Sequence, residues 1–247
     1  MKKILLICLR DLSSYFLSPM AYVIMTAFMV VNGYVFWMII EVLNNPRYPA
    51  GTAAMKLFFG GTIFFWLFKL FIVPTITMKS IAEERKNGTI ETLMTAPVSD
   101  FQVVAGKYLA SYLLYLSLWS MTLIYVFILR YYTPVDFGPV ISGYLGTALI
   151  GAFFCAIGIF TSTLTKNQVI AAIISFAIMV GIFSGGMIQY LSTDSVVKDF
   201  FGYLNLWEHM NEFARGIVDS RRIVYYLSMT LLFLFLSVRT LESSRWR

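Results

Sequence analysis

The sequence predicts an all-α membrane protein that crosses the bilayer six times. Three observations carry that prediction. Of the 247 residues, 59% are hydrophobic and 13% are charged, whereas soluble domains carry roughly 45–50% apolar and about 25% charged residues. The apolar residues gather into six runs long enough for helices. A span needs about 20 such residues, at about 1.5 Å rise each, to cross a ~30 Å hydrocarbon core. The Lys and Arg residues fall mostly between the runs, as membrane-flanking charges do. The net charge of +6 comes with no basic stripe carrying interleaved aromatics, so no nucleic-acid partner is expected.

The segment 2–17 opens with Lys2 and Lys3, but Arg10 and Asp11 interrupt its apolar residues too early for a cleaved signal, whose apolar core runs about 7–15 residues. Ile4, Leu5, Leu9, Leu12 and Phe16 set against Lys2, Lys3, Arg10 and Asp11 make an amphipathic helix suited to the membrane interface. Residues 1–18 are therefore assigned to an interfacial helix, with Pro19 turning the chain into the first span. The spans are placed at 20–40, 57–82, 101–129, 140–164, 168–191 and 223–241, within one transmembrane domain of 1–247. Pro46 and Pro49 mark the first outer loop, Pro134 and Pro139 the second. Thr165, Lys166 and Asn167 make a very tight inner turn.

With the N-terminus inside, the inner segments hold eleven Lys and Arg residues and the outer segments seven. Four of those seven lie in the long loop 192–222, which also carries five acidic residues. The bias places both termini in the cytoplasm, in a cell membrane. Span four carries two small-residue ladders, Gly143, Thr147, Gly151 and Ala148, Ala152, Ala156. Such ladders let helix backbones approach closely in lipid, and packing inside the bundle is a better reading than a pore lining.

The inner loop between spans two and three is the most informative stretch. Asn87 and Gly88 form a helix stop, with Gly88 suited to the left-handed position after a C-terminus. Thr89 can cap a new short helix, and Glu91 sits in its first turn, where a carboxylate favours the helix dipole. Ile90, Leu93, Met94 and Pro97 recur at helical spacing on one face. Ser99 and Gln102 form a capping box that opens span three. On these grounds alone the short helix could rest its apolar face on lipid or dock it into a groove on a soluble partner.

This loop resembles the first cytoplasmic loop of type-2 ABC transporter permeases, the ABC-2 family. That family's pattern Glu-Arg-x-x-Gly-Thr-x-Glu-x-Leu-x-x-x-Pro-x-Ser is met by Glu84, Arg85, Gly88, Thr89, Glu91, Leu93, Pro97 and Ser99. Within the family, Tyr15 to Pro19 and the basic tail from Arg239 resemble the gliding-motility-associated and nitrous-oxide-reductase-maturation permeases. The resemblance implies that 88–97 is a coupling helix contacting a separate ATPase, with Lys166 in the tight turn as a second contact. It implies two ATPase subunits and a second permease chain, identical or related, with spans one and five at the seam. An extracytoplasmic accessory subunit is compatible with it. It also implies that 192–222 forms re-entrant extracellular helices, the architecture of type V exporters. The pattern there fits two short helices, with Val196, Val197, Phe200, Phe201 and Leu204 on one stripe, a break at Gly202 and Asn205, and Asp194 or Ser195 as cap.

Two polar residues inside spans are candidate pathway residues. Lys69 in span two costs at least about 2.5–3.5 kcal/mol to insert, so it faces protein or water. It either lines the path and meets an anionic group or pairs with a carbonyl or carboxylate at a helix interface. Asn32 in span one is read chiefly as an interhelical hydrogen-bond donor.

Several chemistries find no support in the sequence. Gly106-Lys107-Tyr108 lacks the upstream glycine and the hydroxyl of a phosphate loop, so ATP is left to a partner and no cofactor is expected. His209 is the only histidine, which excludes a His-rich zinc site. Ser184 has no histidine in any span to activate it as a protease nucleophile. Cys8 and Cys155 are not expected to pair. The expected role is therefore the permease subunit of an ABC transporter, coupling a partner's ATP hydrolysis to export or mechanical work. The alternatives are a secondary transporter or channel that uses Lys69, and a membrane scaffold without transport.

Overall fold

The computed structural model describes residues 2–44, 54–60, 62–89, 98–132, 135–190 and 194–244, all of them helix or short connection. The helices run in order as α1 (Lys2–Leu17), α2 (Pro19–Asn44), α3 (Ala54–Gly60), α4 (Ile63–Thr77), α5 (Ala82–Lys86), α6 (Asp100–Met121), α7 (Leu123–Tyr132), α8 (Phe137–Leu164), α9 (Gln168–Met187), α10 (Ser195–Leu204), α11 (Leu206–Ala214) and α12 (Ser220–Ser244), with a single 3₁₀ turn, Ile188–Tyr190, after α9. Among the described residues, six helical stretches are long and apolar enough to cross a membrane: Ala21–Asn44, Ile63–Lys86, Asp100–Tyr132, Phe137–Leu164, Gln168–Tyr190 and Ser220–Ser243. The protein is a multi-pass membrane protein.

α8 is the hub. Its span is the most buried of the six, at 72%, against 17% for the last. It touches α3, α4, α6, α9, α11 and α12. Small residues make that crowding feasible: the Phe59 ring lies over Gly143 and the Phe213 ring over Gly146. Thr147 is buried, so the ladder packs helices. Three tyrosines of α6 then stitch it to α8. The hydroxyls of Tyr108, Tyr112 and Tyr115 donate to the carbonyls of Ala152, Ala148 and Thr147 at 3.3, 3.2 and 3.1 Å. Each phenol buries a large apolar ring while its hydroxyl still finds an acceptor.

Three features depart from the sequence reading. The second span does not begin at Leu57, because that residue belongs to α3. α3 ends at Gly60, which packs against Asn211 and Ala214 of α11, and α4 starts at Ile63. The third span is not one uninterrupted helix but two, α6 and α7, meeting at Thr122. Ser117, Ser120 and Thr122 each donate a hydroxyl back to the carbonyl three residues earlier, a competition that bends helices. Asp194 stands at the N-cap of α10 but caps nothing with its side chain. The working cap is Asn205, whose amide oxygen accepts from Glu208 N at 3.2 Å and starts α11. Two other local signals read as expected. Ser99 and Gln102 make the reciprocal capping box at the head of α6, and Gly88 follows α5 with φ at +72°.

Candidate functional site

The site forms where α4 ends. α4 closes at Thr77, and residues 78–81 turn before α5 starts. A broken helix leaves main-chain groups that must find partners elsewhere. Three other helices supply them. Tyr15 of α1 donates its hydroxyl to Ile76 O at 3.1 Å, and burial pushes that phenol above its ordinary value. Ser162 of α8 accepts from both Ile81 N and Ala82 N, at 3.0 and 2.9 Å, and donates to Met78 O at 3.4 Å. Lys107 of α6 donates to Ser80 O at 2.7 Å.

Lys107 also centres an ion-pair cluster. Its ammonium lies 3.0 Å from Asp11 Oδ2 and 2.9 Å from Glu84 Oε1, and its side chain is 2% exposed. A lysine has three N–H donors, and here three oxygens from α1, α5 and the turn lie within reach of them. Arg10 closes the far side, with Nη2 3.0 Å from Glu84 Oε1 and 2.8 Å from Asp11 Oδ1. Burial alone would lower the Arg10 guanidinium, but the two carboxylates outweigh it and raise it. The cluster joins the N-terminal helix, the segment entering the loop and the helix leaving it.

The structure brings only some of the sequence-derived residues to this point. Glu84 is in the cluster. Arg85 is half-buried beside it in sequence, and Thr89 donates its hydroxyl to Glu84 O at 3.3 Å. Gly88 supplies the left-handed turn. Glu91, Leu93 and Pro97 lie outside the described residues. Lys166 is exposed in the turn after α8, three residues beyond Thr163 and four beyond the Ser162 that holds α5. Sequence reasoning passed over Lys107, Asp11, Ser80 and Ser162. Lys107 carried a usable signal, a cation several residues inside an otherwise apolar helix, but it was read as a flanking charge. Ser162 carried none.

Residues 42–238 match the family model described as ABC-2 family transporter protein. The chain belongs to the ABC-2 transporter family. No curated protein matches it. As an ABC-2 membrane component the chain has no ATPase activity of its own, and permeases of this family generally pair with ATPase subunits. The match covers Glu84, Lys107 and Ser162, whereas Arg10 and Asp11 precede it.

Lys69 of the ABC-2 permease lies apart from this cluster. It is 1% exposed, and its ammonium sits 3.6 Å from the Phe65 ring centroid, 5.0 Å from Trp119 and 5.6 Å from Trp66. Its Nζ has no hydrogen-bond partner among the described residues. The aromatic faces offset desolvation by about 2 kcal/mol, against a cost of at least about 2.5–3.5 kcal/mol for a lysine inside a span. Lys69→Met is therefore expected to hold or raise the unfolding free energy, by up to about 1 kcal/mol, in detergent melts. A pathway role for Lys69 demands the opposite pattern, lost transport without any gain in stability. Asn32 is buried and donates to Phe28 O at 2.8 Å. It bonds within its own helix, and among the described residues it makes no hydrogen bond across a helix interface.

At α11 the permease holds His209 fully buried, its Nδ1 3.0 Å from the Tyr226 hydroxyl. Burial first, and then the Arg222 charge, push its pKa down to about 3. The unfolded chain takes up that proton near pH 6.5, so the stability from neutral His209 is present above about pH 6.5 and lost as pH falls toward 3. Between pH 6 and 4 the unfolding free energy should drop by about 1.4 kcal/mol per unit from this group. The slope should flatten in His209→Gln, measured by melts across that range.

Proposed function

We propose that this chain is the permease subunit of an ABC transporter, forming half of a transmembrane pathway and coupling ATP hydrolysis by a separate ATPase pair to export or mechanical work. The observation that carries the proposal is the Lys107–Glu84–Asp11 cluster. The loop 88–97 is entered from α5 and left through α6, and the cluster ties those two elements together and to α1. A push on the loop then moves a braced unit, since discrete ion pairs and packed helices transmit displacement where a free loop would absorb it. In this reading 88–97 is the coupling helix and Arg85, Gly88, Thr89, Glu91, Leu93 and Pro97 shape it. Lys166 makes a second contact, linked to the first through Ser162.

The same proposal places both termini in the cytoplasm. α1 lies in the interface, supported by the exposure of Leu5, Leu6, Leu9 and Leu17. α10 and α11 are re-entrant helices at the outer end. A second permease chain completes the pathway, and the branch is that of the gliding-motility and nitrous-oxide-reductase-maturation permeases. The test is co-expression with a candidate ATPase subunit, affinity purification and ATPase measurement in liposomes. Glu91→Ala with Leu93→Ala should still insert but lose the ATPase by about tenfold in affinity, as removal of central contacts does. A chain that purifies alone, binds no ATPase and exchanges ions in liposomes would sink the proposal.

A further inference from the structure

A cavity of about 380 Å³ opens beside the ion-pair cluster, between α1, α2, the end of α4 with the turn that follows it, α5 and α6. Its lining contains three cations and three carboxylates. Four of the six, Arg10, Asp11, Glu84 and Lys107, neutralise one another. The remaining two are Lys79 and Glu83. Both are half-buried, and neither side chain has a hydrogen bond or ion pair among the described residues. The Ser14 hydroxyl lines the same cavity, and Ile24, Ile76 and Leu114 make its wall apolar.

One unpaired ammonium and one unpaired carboxylate share a cavity without bonding each other. A purely anionic ligand would leave Glu83 opposed to it, and a purely cationic one would leave Lys79 opposed. A zwitterion satisfies both. The carboxylate can only accept, so the cationic end must bring N–H donors, which a primary ammonium has and a trimethylammonium lacks. The anionic end meets Lys79 and the Ser14 hydroxyl, a pairing that suits a phosphate. The apolar wall asks for hydrocarbon next to the charged group. α1, which carries Ser14, also exposes Leu5, Leu6, Leu9 and Leu17, a face that a membrane surface covers. We propose that the cavity binds the headgroup of a phospholipid with a primary ammonium, of the phosphatidylethanolamine class, with Glu83 on the ammonium and Lys79 on the phosphate.

Binding is read on the full chain in detergent, without any ATPase, so its failure and that of the coupling proposal are separable. Dioctanoyl phosphatidylethanolamine, phosphatidylcholine and phosphatidylglycerol are titrated against the delipidated protein, with thermal midpoint and native mass spectrometry as readouts. The ethanolamine lipid should bind about tenfold tighter than the choline lipid, the worth of one charge-assisted hydrogen bond. Glu83→Gln should bring that ratio close to one, and Lys79→Met should weaken both lipids. Glycerophosphoethanolamine, the headgroup without chains, should bind far more weakly. If it binds as well as the lipid, the ligand is a soluble zwitterion and the lipid assignment is overturned. Equal binding of the three lipids to the unaltered chain, which requires no variant to fold, overturns the site as a whole, as does an unchanged ratio in Glu83→Gln.

Discussion

Lys107→Met is expected to lower the unfolding free energy of the detergent-solubilised protein by about 3 kcal/mol, because removing one member of a buried ion pair strands the other. Two carboxylates are stranded here, Asp11 and Glu84, together with the carbonyl of Ser80. Arg10 still reaches both acids from the exposed side, which keeps the loss near the lower end of what such deletions cost. Lys107→Arg should not rescue it. Three oxygens converge on one compact ammonium, and a planar guanidinium cannot meet the same three directions in the same space. A triple change that also replaces Asp11 and Glu84 by their amides should recover part of the loss, since no buried charge then remains unpaired. Melts of the four proteins decide the matter. If Lys107→Met melts with the unaltered chain, the cluster does not brace the helices.

Gly151→Ala is the second change with a large expected effect. A Cβ at that position would overlap the ring of Tyr115, which is fully buried and donates to Thr147 O from the same helix pair. The ring cannot swing away without losing that bond, and its neighbour Trp119 closes another side, with centroids 6.3 Å apart. Overpacking of this kind costs about 1–3 kcal/mol, and the lost hydrogen bond adds about 1 kcal/mol. The double variant Gly151→Ala with Tyr115→Leu should melt above the sum of the two single losses, a positive coupling between touching sites. Purely additive losses would show that the two residues do not share the space.

Much of the fold was legible because its causes are local or compositional. The six apolar stretches follow from hydropathy and length. Ser99 and Gln102, and Gly88 after Asn87, announce a helix start and a helix stop by the chemistry of the few residues around them. The helix end at Gly60 and the break at Thr122 were not legible. Gly60 matters because Asn211 and Ala214 come to lie against it, and that approach has no trace near residue 60. The Ser117, Ser120 and Thr122 hydroxyls could each have turned outward or sideways, and only the packed bundle settles that they bend the helix.

The candidate site divides in the same way. Glu84, Gly88 and Thr89 stood out through the spacing of one loop. Lys107 and Ser162 did not, because their partners lie far along the chain, at Asp11 and at Ile81 and Ala82 respectively. The sequence alone determined that this protein is a six-span helical membrane component with an informative loop after span two, since hydrophobic length and short-range capping act within a few turns. Only the tertiary structure decided which helices meet at the two ends of that loop, that Lys69 is wrapped in aromatic rings, and that Lys79 and Glu83 line one cavity. Those outcomes depend on charges and rings meeting across the bundle, and that proximity is set by the packing of the entire chain around α8.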